Sequence, residues 1–185
     1  MIDSINTKDT SVSALHNDAQ EFVKLRGNVR IIVDDEEKGR YVHFDDHNII
    51  VNGAKNIMAN QIAYGSTLRA IKGLALGKGR SGWDILNPPA PDVNQTELFE
   101  EVIFLTPTTQ GGISVIDGTA KFTFILEKGQ GNGSYDGGGT VAYTEAGLYA
   151  VGAPTASGVL FAYETYPALV KNSTRQITFE WSIIF

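Results

Sequence analysis

The chain has 185 residues, of which 42% are hydrophobic and 19% charged, a globular balance that excludes a disordered chain and leaves room for one ordinary domain plus an appendage. The formal charge of −6 is spread along the chain with no cluster of lysines and arginines, which argues against nucleic acid as a direct partner. The absence of cysteine removes disulfides, thiolate metal sites and a cysteine nucleophile, and with no basic-then-apolar leader and no run near the roughly 18 apolar residues of a membrane span the sequence reads as soluble, untargeted and without a membrane partner.

Residues 1–26 read as an N-terminal arm. Leu15, Ala19, Phe22 and Val23 stand at helical spacing behind Ser11 and Ser13, either of which suits a helix N-cap. So little apolar surface cannot fold alone, and the arm is expected to pack on its own domain or to reach a neighbour.

From Gly27 to Phe185 the texture is that of a single β-rich domain. Asn28–Val33 and Arg40–Phe44 are β-branched and aromatic runs joined by the charged turn Asp34–Gly39, a hairpin pattern. Asp45-Asp46 reads as a strand-end turn, and Asp46–Val51 leads into a helix over Asn52–Ala63. In it Ala54, Ile57, Met58, Gln61 and Ile62 share one face and Asn52 is the expected N-cap. Further strands are expected at Ala70–Leu76, Glu100–Leu105, Ile113–Ile116, Lys121–Leu126, Thr140–Tyr143, Gly158–Tyr163 and Gln176–Phe185. Several alternate apolar and polar residues, so each buries one face. The fold class is mainly β: an antiparallel β-sandwich or barrel-like domain with one short α-helix. Its last strand is expected to be paired and buried to Phe185.

Three patterns imitate chemical sites. Gly77-Lys78-Gly79-Arg80-Ser81-Gly82 matches the dinucleotide-binding spacing, but that motif needs a helix after the turn to present its amides, and Pro88, Pro89 and Pro91 leave one little room. His43, Asp45 and His47 would share a strand face and offer two imidazoles and a carboxylate to a metal; two half-exposed histidines flanking a turn is the favoured reading. Asn132–Gly137 resembles the start of an EF-hand loop, yet Tyr143 stands where the bidentate Glu belongs, which leaves the Gly129–Gly139 loop as a hairpin tip. No activated nucleophile or carboxylate pair emerges, so the chain is read as no enzyme, with no catalytic residue, cofactor or metal site assigned.

The ordered set His47–Ala59, Ile71–Gly79, Thr96–Val102, Tyr143-Thr144-Glu145-Ala146-Gly147-Leu148-Tyr149, Leu160–Tyr163 and Ile177–Phe185 resembles small β-rich structural proteins of tailed bacteriophage virions. Such proteins carry an E-A-G-L-[FY] element and a terminal [LI]-T-[VF]-E-W-x-[IL]-x-F strand in that order. The resemblance spans residues 47–185, is weaker over 27–46, and leaves the arm uncovered. It implies a structural subunit, located in the virion and assembled in the host bacterial cytoplasm. The partners it implies are further copies of the chain in a symmetric homo-oligomer and other virion proteins of the tail, the portal-proximal region or the major capsid. Tail, collar or baseplate is favoured over capsid decoration. The segment Arg80–Leu86 departs from the simplest members, whose corresponding loop is short and rich in Thr, Ala and Pro. Apolar side chains on a loop suggest contact with another surface, which makes Trp83, with Ile85 and Leu86, the leading interface residues, joined by Tyr135 and the arm residues Phe22 and Val23; for Trp83 the alternative is that it folds back on its own domain. The alternative is a glycan- or metal-binding module using Tyr135 in the Gly129–Gly139 loop or the His43/His47 pair.

Overall fold

The computed structural model describes residues 25–65, 70–107, 112–133, 139–150 and 158–185. Its elements run β1 (Arg26–Asp35), β2 (Gly39–Ile50), α1 (Asn52–Tyr64), β3 (Ile71–Gly77), β4 (Glu101–Leu105), β5 (Ile113–Ile116), β6 (Thr119–Leu126), β7 (Val141–Ala150), β8 (Val159–Lys171) and β9 (Arg175–Ile184). All strand pairs are antiparallel, and the strands form one nine-stranded sheet in the order β4-β3-β7-β8-β2-β1-β9-β6-β5. The mainly β class expected from the sequence is the class observed. Among the described residues no helix is long and apolar enough to cross a membrane.

One strand turns this sheet into two layers. β2 pairs with β1 as far as Asn48, then with β8 through Ile49 and Ile50, so the sheet bends between these residues and its halves enclose a common core. From β1, β6 and β9 that core takes Val29, Phe124 and Trp181, and from β3, β7 and β8 it takes Leu74, Leu148 and Tyr166. Register explains the order within it. Residues opposite one another in antiparallel strands share a face, and the rows Val29–Trp181–Phe122, Ile31–Phe179–Phe124 and Val33–Ile177–Leu126 cross β1, β9 and β6 in turn.

The β1–β2 hairpin forms as its charged turn predicts. Gly39 takes a positive φ of 74°, and the Asp35 carboxylate accepts from the amides of Glu37 (2.9 Å) and Lys38 (3.3 Å) while pairing with Arg175 at 2.6 Å. The Glu37 amide first, and Arg175 next, hold this carboxyl below the usual carboxylate range.

Four expectations need correction. Asp45-Asp46 is no turn: β2 runs straight through it, because both residues pair with β1 opposite Arg30 and Val29. Asn52 does not cap α1. Val51 occupies the cap position without a side-chain bond, while Asn52 donates its backbone amide to the Val93 carbonyl and its side-chain amide to Asn94. The helix buries Ala54 and Ile57 and leaves Ile62 88% exposed, since only its first turns lie against the core. At the last residue, the Phe185 amide is paired with the Gly118 carbonyl, but its side chain is 59% exposed; the buried residues of β9 are Ile177, Phe179, Trp181 and Ile183.

Strands β7 and β8 also run well beyond Thr140–Tyr143 and Gly158–Tyr163. The pairing jumps from Tyr143–Leu169 to Glu145–Thr165, so three residues of β8, including Pro167, bulge opposite Thr144. A bulge is where a strand tolerates a residue without an N–H, and it lets β8 continue past a proline that suggests a stop.

Candidate assembly surface

β7 is buried on both faces, which a strand at the centre of one sandwich layer achieves only if something covers its outer side. The cover is the 78–100 segment joining β3 to β4. Leu98 from this segment packs with Val51, Ala75, Tyr149, Leu160 and Tyr163 in a second buried cluster on the outer face.

The segment is held by side chains of Tyr143–Tyr149. The Glu145 side chain, fully buried, accepts from the amides of Gly79 (3.0 Å), Phe99 (3.0 Å) and Glu100 (3.0 Å) and from the Tyr163 hydroxyl (2.7 Å). Thr144 donates to the Lys78 carbonyl at 2.6 Å, and the Leu98 amide donates to the Tyr149 hydroxyl at 3.2 Å. Burial, with the Glu145 charge second, pushes the Tyr163 phenol far above its ordinary range, so it remains a donor. Gly147 leaves the space this closeness needs: a Cβ there would lie 2.5 Å from Leu160 Cδ1 and 2.8 Å from Leu98 Cδ1. Both ends of a 23-residue connection are thereby closed by one carboxylate, and its middle is tied by Ala168 N–H to Ile85 O (2.7 Å) and Thr165 Oγ1 to Pro89 O (2.7 Å).

The glycine-rich turn therefore does bind an anion through its backbone, and that anion is the chain's own Glu145. Gly79 adopts φ 73° and Gly82 φ 91°, and beyond them the chain runs through tight turns in place of a helix. The Asp84 carboxylate accepts from the Leu86 amide (3.0 Å) and from Asn87 (3.3 Å), and these two bonds, the backbone amide first, lower its pKa.

Trp83 folds back on this scaffold. Its ring meets Phe99 edge-on with centroids 5.0 Å apart, and a Cβ on Gly79 would stand 2.5 Å from its Cε3. Ile85 and Leu86 remain 49% and 66% exposed, and Ile85 borders a groove of about 500 Å³ with Lys78, Val102 and Val141. The apolar display of the loop is thus Ile85 and Leu86, with Trp83 as its support. Trp83→Ala should cost about 1–2 kcal/mol, because the half-buried ring loses its packing on Phe99 and Gly79; urea unfolding checks this, and an unchanged midpoint would return Trp83 to a role purely between subunits.

The other expected site residues are not brought together. A bulge in the β1–β2 pairing at His43 puts Tyr41 and Phe44, three apart, against the core and breaks the alternation that would align His43 with Asp45 and His47. His43 Nε2 lies 2.9 Å from the Pro167 carbonyl, His47 bonds the Asn28 side chain, and Asp45 pairs with Arg30 at 3.4 Å. Among the described residues no group of three metal-ligating His, Asp or Glu side chains occurs. In the Gly129–Gly139 loop, the Asn132 side-chain oxygen is taken by Lys171, whose ammonium also donates to the carbonyls of Lys128 (3.0 Å) and Asn172 (2.8 Å). Tyr135, Phe22 and Val23 lie outside the described residues.

Sequence reasoning missed Glu145, Thr144 and Tyr149 as the loop's anchors. The signal was present: three polar side chains inside a run otherwise suited to a core strand must find partners. Comparison with protein-family models, with curated proteins and with solved structures finds no match.

Proposed function

We propose that the chain is a structural subunit of a tailed-phage virion, in the tail, collar or baseplate in preference to the capsid surface, acting through contacts with its own copies and with other virion proteins. The observation that supports this reading is that three segments carrying the resemblance, Ile71–Gly79, Thr96–Val102 and Tyr143–Tyr149, meet at the Glu145 carboxylate. These three of the six resembling segments form one physical unit, a sheet face with a strapped loop. Binding surfaces need side chains held in place before contact, since ordering them on association costs affinity.

An antiserum against the purified chain should detect it in tailed particles isolated on a density gradient and label them in electron micrographs. Presence in the lysate with absence from the purified particles would overturn the reading. The double variant Ile85→Glu/Leu86→Glu should lose incorporation or self-association while its melting temperature stays within about 2 °C, because both side chains are exposed and single exposed substitutions change stability by only about 0.5 kcal/mol.

A further inference from the structure

At one edge of the sheet stands β5, four residues long, whose sequence Ile113-Ser114-Val115-Ile116 contains no charge and no proline. Ile113, Val115 and Ile116 are 53%, 73% and 61% exposed, and Phe185, bonded to Gly118 in the β5–β6 turn, is 59% exposed. β5 pairs with β6 on one side; among the described residues its other side has no strand. Folded chains protect such an edge with charge, proline, a bulge or a covering segment, since bare amides and carbonyls beside apolar side chains recruit other strands. The shortness of β5 limits this edge but leaves its apolar side chains bare, and a cover is the device that would bury them.

The register shows where a cover would come from. Arg26 is opposite Ile184, Ile184 is opposite Thr119, and Thr119 is opposite Ile116. Three strand spacings separate the first residue of β1 from the last residue of β5, about 15 Å. Leu25 packs partly buried against the core, which fixes the point where residues 1–24 leave the sheet at this same end. Five extended residues span such a distance, so Val12, Ala14, Leu15 and Ala19 are within reach of β5, while Phe22 and Val23 stand too close to Arg26 along the chain to reach it.

We propose that β5 is the docking edge for residues 1–24 of this chain, with the Ile113, Val115 and Ile116 side chains covered by the apolar residues of that segment. The segment belongs to the same molecule or is exchanged with a second copy; the edge and its occupant are the same in both cases.

The lack of native cysteine allows a direct test in the full-length chain. Val115→Cys is combined in turn with Val12→Cys, Ala14→Cys, Leu15→Cys or Ala19→Cys and treated with a short bismaleimide. At least one pair should cross-link at least tenfold faster than a control pair of Val115→Cys with Lys38→Cys, which lies in the turn at the far end of β1, and the advantage should vanish in urea. A faster-migrating monomer identifies the same molecule as the source, a covalent dimer an exchanged segment, and both support the proposal. Equal rates for all four pairs and the control would overturn it. So would rapid dimerisation of the single variant Val115→Cys, which would place a second copy's β5 on the edge. In a second measurement, Val12→Ser/Leu15→Ser should speed hydrogen exchange of the 112–117 amides at least tenfold with the rest of the sheet unchanged; unchanged exchange there also counts against docking. Neither measurement involves a virion, so failure here leaves the proposed function standing and success does not establish it.

Discussion

Glu145→Ala should lower the unfolding free energy by about 3–4 kcal/mol and open the 78–100 segment to protease. A hydrogen bond to a charged group is worth roughly 1.5–3 kcal/mol, and an orphaned buried donor costs about 1–3. Four donors converge on this side chain, the amides of Gly79, Phe99 and Glu100 and the Tyr163 hydroxyl, but the losses do not add. Once the carboxylate is gone the cheapest response is for the segment to lift, so that its amides reach water. That limits the loss to the packing of Leu98 on Tyr149, Leu160 and Tyr163 and the bonds Thr144 and Tyr149 make to Lys78 and Leu98. Trypsin should then cut after the exposed Arg80 at least tenfold faster than in the unaltered chain. Glu145→Gln keeps one oxygen for the amides and can still accept or donate at Tyr163, so about half the effect is expected. A loss below about 1 kcal/mol with unchanged cleavage would mean that the ties at Ile85, Pro89 and Val93 hold the segment without the carboxylate.

The strands were legible in the sequence wherever one face is wet. Lys121–Leu126 and Gln176–Ile183 alternate, and their registers place Phe122, Phe124, Phe179 and Trp181 in the core. Legibility failed where both faces are covered. Val141–Ala150 and Val159–Tyr166 carry no period-two signal because the 78–100 segment buries their outer side. It failed again at bulges, since one extra residue at His43 moves every following side chain to the other face. The candidate surface was legible as composition, in the apolar Ile85 and Leu86 on a loop, but its support was not. That Glu145 lies beside Gly79, Phe99 and Glu100 depends on the Gly77–Glu145 register, a contact between residues far apart in sequence that periodicity does not encode.

A second buried carboxylate makes the fold sensitive to pH. Glu164 is opposite Ala146 on the core side of β8, is 4% exposed, and has one oxygen bonded to the Thr165 amide at 3.0 Å and the other without a partner. Burial first, with the nearby Asp46 carboxylate adding to it, raises its pKa from 4.5 to about 8. The folded state therefore holds a proton that the unfolded chain releases. Its contribution to stability is complete below pH 4.5 and is lost as the pH rises toward 8. The full shift would exceed 4 kcal/mol at about 1.4 kcal/mol per pH unit; part of it falls outside the window, and a loss of about 3 kcal/mol between pH 5 and 8 is expected. Glu164→Gln holds the neutral shape at every pH, so it should match the unaltered chain near pH 5 and exceed it by that amount near pH 8 in urea unfolding. Lys171 does not confuse the comparison. Burial lowers its pKa from 10.5 to about 8, so its destabilising charge is relieved only as the pH climbs from about 8 to 10.5, above the window in which Glu164 acts. The carboxyl of Asp35, held low by the Glu37 amide and Arg175, has the opposite sign and loses its contribution on acidification, below the window. Parallel stability curves for the two proteins from pH 5 to 8 would mean that Glu164 stays ionised in the fold.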